Sequence, residues 1–254
     1  ADSKKGEPTS FYPRLKVNVK ALASKLPEMS NILIEIFNET IFTNKKRLRE
    51  IIQEEQIGIE QSIQSSATTI ISSRLSSYIS LSGAYNECAI LPFNEFLKEL
   101  LDDFDAKFDN LVDELIDVYN RLFNRNGLIV SITATDKIYK DFRPHLIRII
   151  KSLPVDEYPV AEYDYPLIAQ NEGFYSQSRV QFVGKSANFI ELGYEYTGSL
   201  AVLETILRYE YFWTKIRVQG GAYGAFVAFG NFGGMIFSSY RDPNLKRTLE
   251  VFDG

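Results

Sequence analysis

The stretch that decides the reading runs Tyr211-Phe212-Trp213-Thr214-Lys215-Ile216-Arg217-Val218-Gln219-Gly220-Gly221-Ala222-Tyr223-Gly224. Its aromatic-rich first half reads as a helix, and the adjacent Gly220 and Gly221 end it, because glycine adopts the positive φ of a helix C-terminus at no steric cost. A strand follows, so Arg217 falls in the last helical turn and Tyr223 at the start of the strand. The glycines also let another backbone approach closely. A phosphate-cradling loop needs the reverse order, glycines leading into a helix N-terminus, so nucleotide binding is a poor reading here. On residue types alone two readings stand. In one, Arg217 bonds the terminal carbonyls of its helix and Tyr223 packs on a half-buried strand. In the other, both serve a ligand.

Upstream of this stretch the pattern alternates between elements. Phe11 to Leu22 sets Leu15, Val17 and Val19 against Arg14, Lys16 and Asn18, which predicts a strand with one buried face. Ile32, Leu33, Ile36 and Phe37 then take helical spacing over Met29 to Phe42, after Pro27 and Ser30. Asn44 caps a longer helix carrying Leu48, Ile51, Ile52, Ile59 and Ile63, expected to run to about Ser80. Ser82-Gly83-Ala84 predicts a break and a loop to Pro92, where a helical pattern restarts. A further helix covers Phe104 to Phe123 and stops at Asn126-Gly127. Leu128 to Ala134 is a compact β-branched run, and Phe142 to Leu153 is helical, closed by Pro154. Downstream, Val180 to Gly184 reads as a strand and Ser199 to Lys215 as a helix. Tyr223 to Phe229 and Met235 to Tyr240 read as strands joined by a glycine-rich turn, and Asp242-Pro243 opens a last helix.

These elements lack regular βαβ spacing, so the expected fold class is α+β, two successive domains with mainly antiparallel sheets flanked by helices, both truncated. The expected partition is a disordered lead-in over 1–10, a helical α+β region over 11–155, a proline-rich linker over 156–170, and the start of a further α+β domain over 171–254.

Composition narrows the function. The 254 residues are 45% hydrophobic, enough for a sizeable core, and the net charge of -5 excludes a sequence-independent nucleic-acid binder. Lys45-Lys46-Arg47 and the carboxylates Glu54, Glu55 and Glu60 read as solvated helix faces. No apolar run approaches the roughly 20 residues of a membrane span. The single cysteine, Cys88, reads as a buried thiol in a reducing compartment. The single histidine, His145, reads as an ordinary surface residue on an early helical turn. One histidine and one cysteine cannot supply the three-ligand set of a catalytic zinc site without all-carboxylate ligation, so no metal site is expected in this chain.

Arg217-x-x-Gly220-Gly221-Ala222-Tyr223-Gly224 together with Ser239-Tyr240-Arg241-Asp242-Pro243-Asn244 resembles the C-terminal half of the presequence-protease branch of the pitrilysin/insulinase-type zinc metallopeptidases. Lys20-Ala21-Leu22 through Pro27, the Arg47 to Ile63 helix and Ser77-Tyr78 share the likeness, which therefore covers the chain from about Tyr12. The resemblance implies a substrate-binding half of a clamshell enzyme that closes around an unfolded peptide. Zinc would be bound by an inverted His-x-x-Glu-His motif in an N-terminal half not present here. Arg217 and Tyr223 would reach the scissile peptide bond as catalytic and substrate-binding residues, Gly220 and Gly221 would allow close approach, and Asp242, Pro243 and Asn244 would form a structural corner. When water attacks a peptide carbonyl, charge builds on the oxygen, and a phenol aimed there stabilises the transition state more than the substrate. A guanidinium suits a backbone carbonyl. The implied partners are the peptide substrate and the zinc-bearing half, with no nucleic acid and no membrane. The implied setting is the cytoplasm, or alternatively an organelle matrix. Core subunits of respiratory complexes share such a fold without catalysis, so a non-catalytic binding or assembly subunit is the alternative.

Overall fold

The computed structural model describes residues 2–4, 7–159, 165–175 and 180–254. Part of the expected linker, 160–164, lies outside the described residues, as do positions 1, 5 and 6 of the expected lead-in. The fold is α+β with antiparallel sheets. Strands β1 (Asp2–Lys4) and β2 (Glu7–Tyr12) pair with each other, where an irregular lead-in was expected. Helices α1 (Leu26–Asn38), α2 (Lys45–Ser65), α3 (Ala67–Ser77), α4 (Leu81–Glu87), α5 (Leu91–Asp102), α6 (Phe104–Leu122) and α7 (Asp136–Ser152) follow. Strand β3 (Gly184–Asn188), α8 (Ser199–Ile206), a π-helix (Leu207–Val218), β4 (Gly224–Phe229), β5 (Gly234–Tyr240) and α9 (Lys246–Asp253) complete the chain. Two compact units result, each assembled from separate stretches: Ala1–Arg14, Gln53–Glu99 and Tyr163–Gly254 in one, Leu15–Ile52 and Leu100–Glu162 in the other. This partition is not the sequential one read from composition.

In the first unit β5 is the central strand, flanked by β3 and β4, both antiparallel to it. Phe237 of β5 meets Phe212 of the π-helix edge to face at 5.5 Å and Phe252 of α9 at 5.6 Å. Val183, Ile216, Ala222 and Val227 complete this core. Residues paired directly across antiparallel strands share a face, so Gly184, Ser186 and Asn188 stand beside Ser238, Ile236 and Gly234 on the other side of the sheet. Helix α3 lies there: Ser186 Oγ donates to the Leu75 carbonyl at 3.2 Å, and a Cβ on Gly184 would come within 2.6 Å of Ile71 and Leu75 side chains.

Two of the expected features need correction. The helix that opens at Asn44, whose Oδ1 accepts from the Arg47 N–H at 3.1 Å, does not reach Ser80 but breaks at Ser66. Ser82-Gly83-Ala84 is not a break at all: it lies inside α4, whose N-cap Ser80 accepts from the Gly83 N–H at 3.1 Å. Gly83 is required by contact, since a Cβ there would sit 2.2 Å from the Ser76 carbonyl oxygen of α3. Cys88 likewise departs from the buried thiol expected. It is exposed, because it caps α4 where the chain turns outward into 88–90.

An ionic cluster holds the ends of α3 and α4. Arg74 donates Nε and Nη2 to Glu172 at 2.8 Å each, and its Nη1 lies 3.2 Å from Glu87. Tyr78 also donates to Glu172. Glu87 is buried, with one carboxyl oxygen lacking a hydrogen-bond partner among the described residues. Burial raises its pKa, the Arg74 charge opposing this, whereas the Arg74 hydrogen bond lowers that of Glu172. The signs therefore oppose. The Glu172 contribution to stability is complete at neutral pH and fades as pH falls below the ordinary carboxylate range; the Glu87 contribution is complete in acid and fades as pH rises above that range.

In the second unit α1 packs on α7, with Leu26, Ile149 and Leu153 buried. Tyr119 of α6 donates to the Ile36 carbonyl at 2.9 Å, and Phe37 stacks on Phe123 at 5.0 Å. Helix α7 begins six residues before the expected Phe142, at a Thr135 N-cap, and takes Pro144 into its interior. His145 therefore sits mid-helix and is half-buried. The expected strands at 13–22 and 128–134 are extended but belong to no sheet among the described residues. Their apolar side chains stay exposed, Leu15 at 55% and Ile129 at 67%, since alternation produces a strand only where a partner supplies the ladder.

Two stability tests follow from these contacts. Gly83→Ala, normally favourable in a helix, is expected to cost roughly 1–3 kcal/mol in chemical denaturation because its methyl group overlaps the α3 backbone. Arg74→Ala is expected to cost about 3 kcal/mol by leaving Glu87 buried without its cation, and Glu87→Gln, which removes the charge itself, much less.

Candidate functional site

The site forms where the π-helix hands over to β4. Gln219 N–H bonds the Thr214 carbonyl, five residues back, at 3.0 Å, the hydrogen-bond step that widens a π-helix. Buried Phe212 and Ile216 hold this helix to the sheet. At its end the Gly221 N–H bonds the Arg217 carbonyl at 2.9 Å, and the Ala222 N–H reaches the Ile216 carbonyl at 3.2 Å. This is a nested, glycine-terminated helix ending, with Gly221 at φ 81°. A Cβ on Gly220 would lie 2.4 Å from the Ile216 carbonyl oxygen. Both glycines thus have a backbone reason to be glycine.

The second motif holds this turn in place. Asp242 is fully buried; its Oδ1 accepts from the Asn244 N–H at 2.8 Å and its Oδ2 from Thr248 Oγ at 2.6 Å. Its backbone exchanges hydrogen bonds with Gln181. Asn244 then donates its side-chain amide to the Gly220 carbonyl at 2.5 Å, and Arg247 donates to the Gln219 carbonyl at 3.2 Å. Tyr223 N–H bonds the Tyr240 carbonyl at 3.0 Å, which starts the β4–β5 ladder one residue past the turn. The corner at 242–244 therefore sets the path of the chain between Arg217 and Tyr223.

Arg217 and Tyr223 line one cavity of about 210 Å³ with Arg208, Tyr209, Trp213, Gly224, Ala225 and Phe226. The Arg217 guanidinium lies 3.9 Å from the centre of the Trp213 ring, a cation–π contact. Tyr223 is 67% exposed, and its hydroxyl has no protein partner among the described residues. Arg241 lies over the Tyr223 ring at 5.6 Å and has φ 48°, a conformation uncommon for a non-glycine residue. Sequence reasoning placed Arg217 and Tyr223 on either side of the turn and missed Arg208, Tyr209, Trp213, Phe226 and Arg241 as neighbours. The aromatic density of 209–213 was the available signal. Gly220 and Gly221 do not line the cavity.

No cluster of three or more His, Cys, Asp or Glu side chains placed to hold a metal occurs among the described residues, and Cys88 and His145 belong to different compact units. No described helix is long and apolar enough to cross a membrane.

Residues 171–254 match the family described as PreP C-terminal domain, and residues 1–100 match a peptidase-associated family of the pitrilysin/insulinase type. The chain belongs to the pitrilysin/insulinase-type peptidases, in their C-terminal half. Within that group it is 34% identical to Protein HypA of Clostridium perfringens over 96% of this chain and 25% of that protein. It is 29% identical to Presequence protease 1, chloroplastic/mitochondrial, of Arabidopsis thaliana over 98% of this chain and 23% of that protein. With the mitochondrial presequence protease of Saccharomyces cerevisiae it shares 25% over 97% of this chain and 26% of that protein. The chain thus spans about a quarter of the length of these pitrilysin-type relatives. Both motifs that carry the resemblance lie inside the PreP C-terminal match.

Gly221→Ala is expected to destabilise the chain by about 1–2 kcal/mol, the cost of holding a Cβ in the left-handed region, with Gly221→Asn milder. Thermal melts of the two variants beside the parent sequence check this order.

Proposed function

We propose that this chain is the substrate-placing part of a zinc metalloendopeptidase that degrades unfolded peptides, the zinc being held by a part of the polypeptide outside this chain. Arg217 holds a backbone carbonyl of the peptide, and Tyr223 donates its phenolic hydrogen to the carbonyl oxygen as negative charge develops there. The observation that carries this reading is the shared cavity. A guanidinium and a phenol with no protein partner at its hydroxyl stand on one concave surface, fixed by a glycine turn and a buried corner. Gly220 and Gly221 serve it through the turn they permit.

The family match supports a peptidase parent, and the relatives' printed names supply presequence proteases. Organelle names among the eukaryotic relatives favour the matrix over the cytoplasm expected from sequence. An exposed Cys88 thiol suits either compartment where disulfides are kept reduced.

In the full-length polypeptide, Tyr223→Phe is expected to lower kcat on an unstructured fluorogenic peptide by about 10²-fold with little change in KM, the loss of one oxyanion donor. Unchanged turnover would remove the catalytic role and favour a non-catalytic binding or assembly subunit.

A further inference from the structure

Arg208 lies in the same cavity and has no part in the reading above. On an α-helix, at about 100° per residue, positions 208 and 217 fall on opposite faces. The wider winding of Leu207–Val218 brings both side chains, with Trp213 between them in sequence, to one cavity. Arg208 rests 5.4 Å from the Tyr209 ring and 5.6 Å from that of Phe226. Elsewhere Arg47, Arg49, Arg74 and Arg121 each lie within 3.9 Å of a carboxylate oxygen. Arg208 and Arg217 have no carboxylate partner among the described residues and lean on aromatic rings instead. The outcome is a small cavity with two permanent positive charges, apolar ring faces and, among the described residues, no internal counter-ion.

Such a cavity has a definite chemical preference. A carboxylate accepts two parallel hydrogen bonds from a guanidinium, and the ring faces shield that pair from water while packing the adjoining methylene groups. We propose that this cavity is a carboxylate-binding subsite for the peptide, with Arg208 as the specificity-determining residue. The proposal rests on the peptide-placing reading of Arg217 and Tyr223: Arg217 takes a backbone carbonyl, and Arg208 is the cation left for an acidic group a short distance along the same extended segment. The carboxylate is supplied either by a Glu or Asp side chain or by the peptide C-terminus.

Trp213 is the single tryptophan of the chain and lines the cavity, so its fluorescence reports occupancy. The experiment titrates the chain with short unstructured peptides lacking Trp, in three forms: internal Glu with an amidated C-terminus, the same sequence with Gln for Glu, and the Gln peptide with a free C-terminal carboxylate. Acetate alone serves as the control for a bare anion. One of the carboxylate peptides is expected to bind about tenfold more tightly than the neutral amidated one, the typical gain of a charge-assisted hydrogen bond. Which one does so assigns the side-chain or the C-terminal source. Arg208→Gln is expected to reduce the preference to within about twofold while neutral-peptide affinity persists, Arg208→Lys to retain part of it, and added salt to weaken it in the parent chain only.

Equal binding of all three peptides to the parent chain overturns the carboxylate subsite and leaves the peptide-placing reading standing. A preference that survives Arg208→Gln overturns the assignment to Arg208. No binding of any peptide overturns both readings, whereas a neutral-peptide affinity lost in Arg217→Gln with the acidic preference intact overturns only the role given to Arg217.

Discussion

The buried Asp242 carboxyl is the constraint on which the site depends. A polar side chain removed from water must find its hydrogen bonds inside the protein, and Asp242 finds them at the Asn244 N–H and the Thr248 hydroxyl. Those two bonds fix the angle at which β5 turns into α9. They also place the Asn244 amide where it can donate to the Gly220 carbonyl. The turn between the π-helix and β4 is thus held from outside by a second segment of chain, and the separation of Arg217 from Tyr223 is set by that bond as much as by the two glycines.

The sheet supplies the rigidity behind this arrangement. Phe212, Phe237 and Phe252 meet at 5.4 to 5.6 Å, so the π-helix, β5 and α9 share one aromatic core. With Phe212 and Ile216 packed inward, the helix cannot rotate to hide Trp213 and Arg217 without exposing that core. Exposed cations and rings are therefore held at the surface by what lies beneath them. This is the usual division of labour at a binding site: a well-packed scaffold below, and polar groups without internal partners above.

The relationship to the pitrilysin-type peptidases gives this geometry its chemical context, and the chain accounts for about a quarter of each relative. Among the described residues, its cations at the cavity are free of internal carboxylates, which suits recognition of a chain passing across it. The ion pairs of the first unit do the opposite work. Arg74, Glu87 and Glu172 satisfy one another, and their opposite pKa displacements make them a structural cluster tied to α3 and α4.

Much of this was legible in the sequence. The Gly220-Gly221 pair set Arg217 before the turn and Tyr223 after it, because positive φ and close backbone approach are properties of glycine itself. The antiparallel pair β4 and β5 was readable from its alternation and its glycine turn. A single histidine made a zinc site in this chain implausible before any coordinates. Other features were decided by tertiary contact. Gly83 looked like a helix breaker and is a helix contact, since only the neighbouring Ser76 carbonyl reveals why no side chain fits. Residues 13–22 and 128–134 alternate like strands, yet pairing depends on a partner that local pattern cannot supply. The placement of Arg208 beside Arg217 followed from π winding, which depends on packing against the sheet and α9 and which an α-helical reading of the same residues would have put on opposite faces.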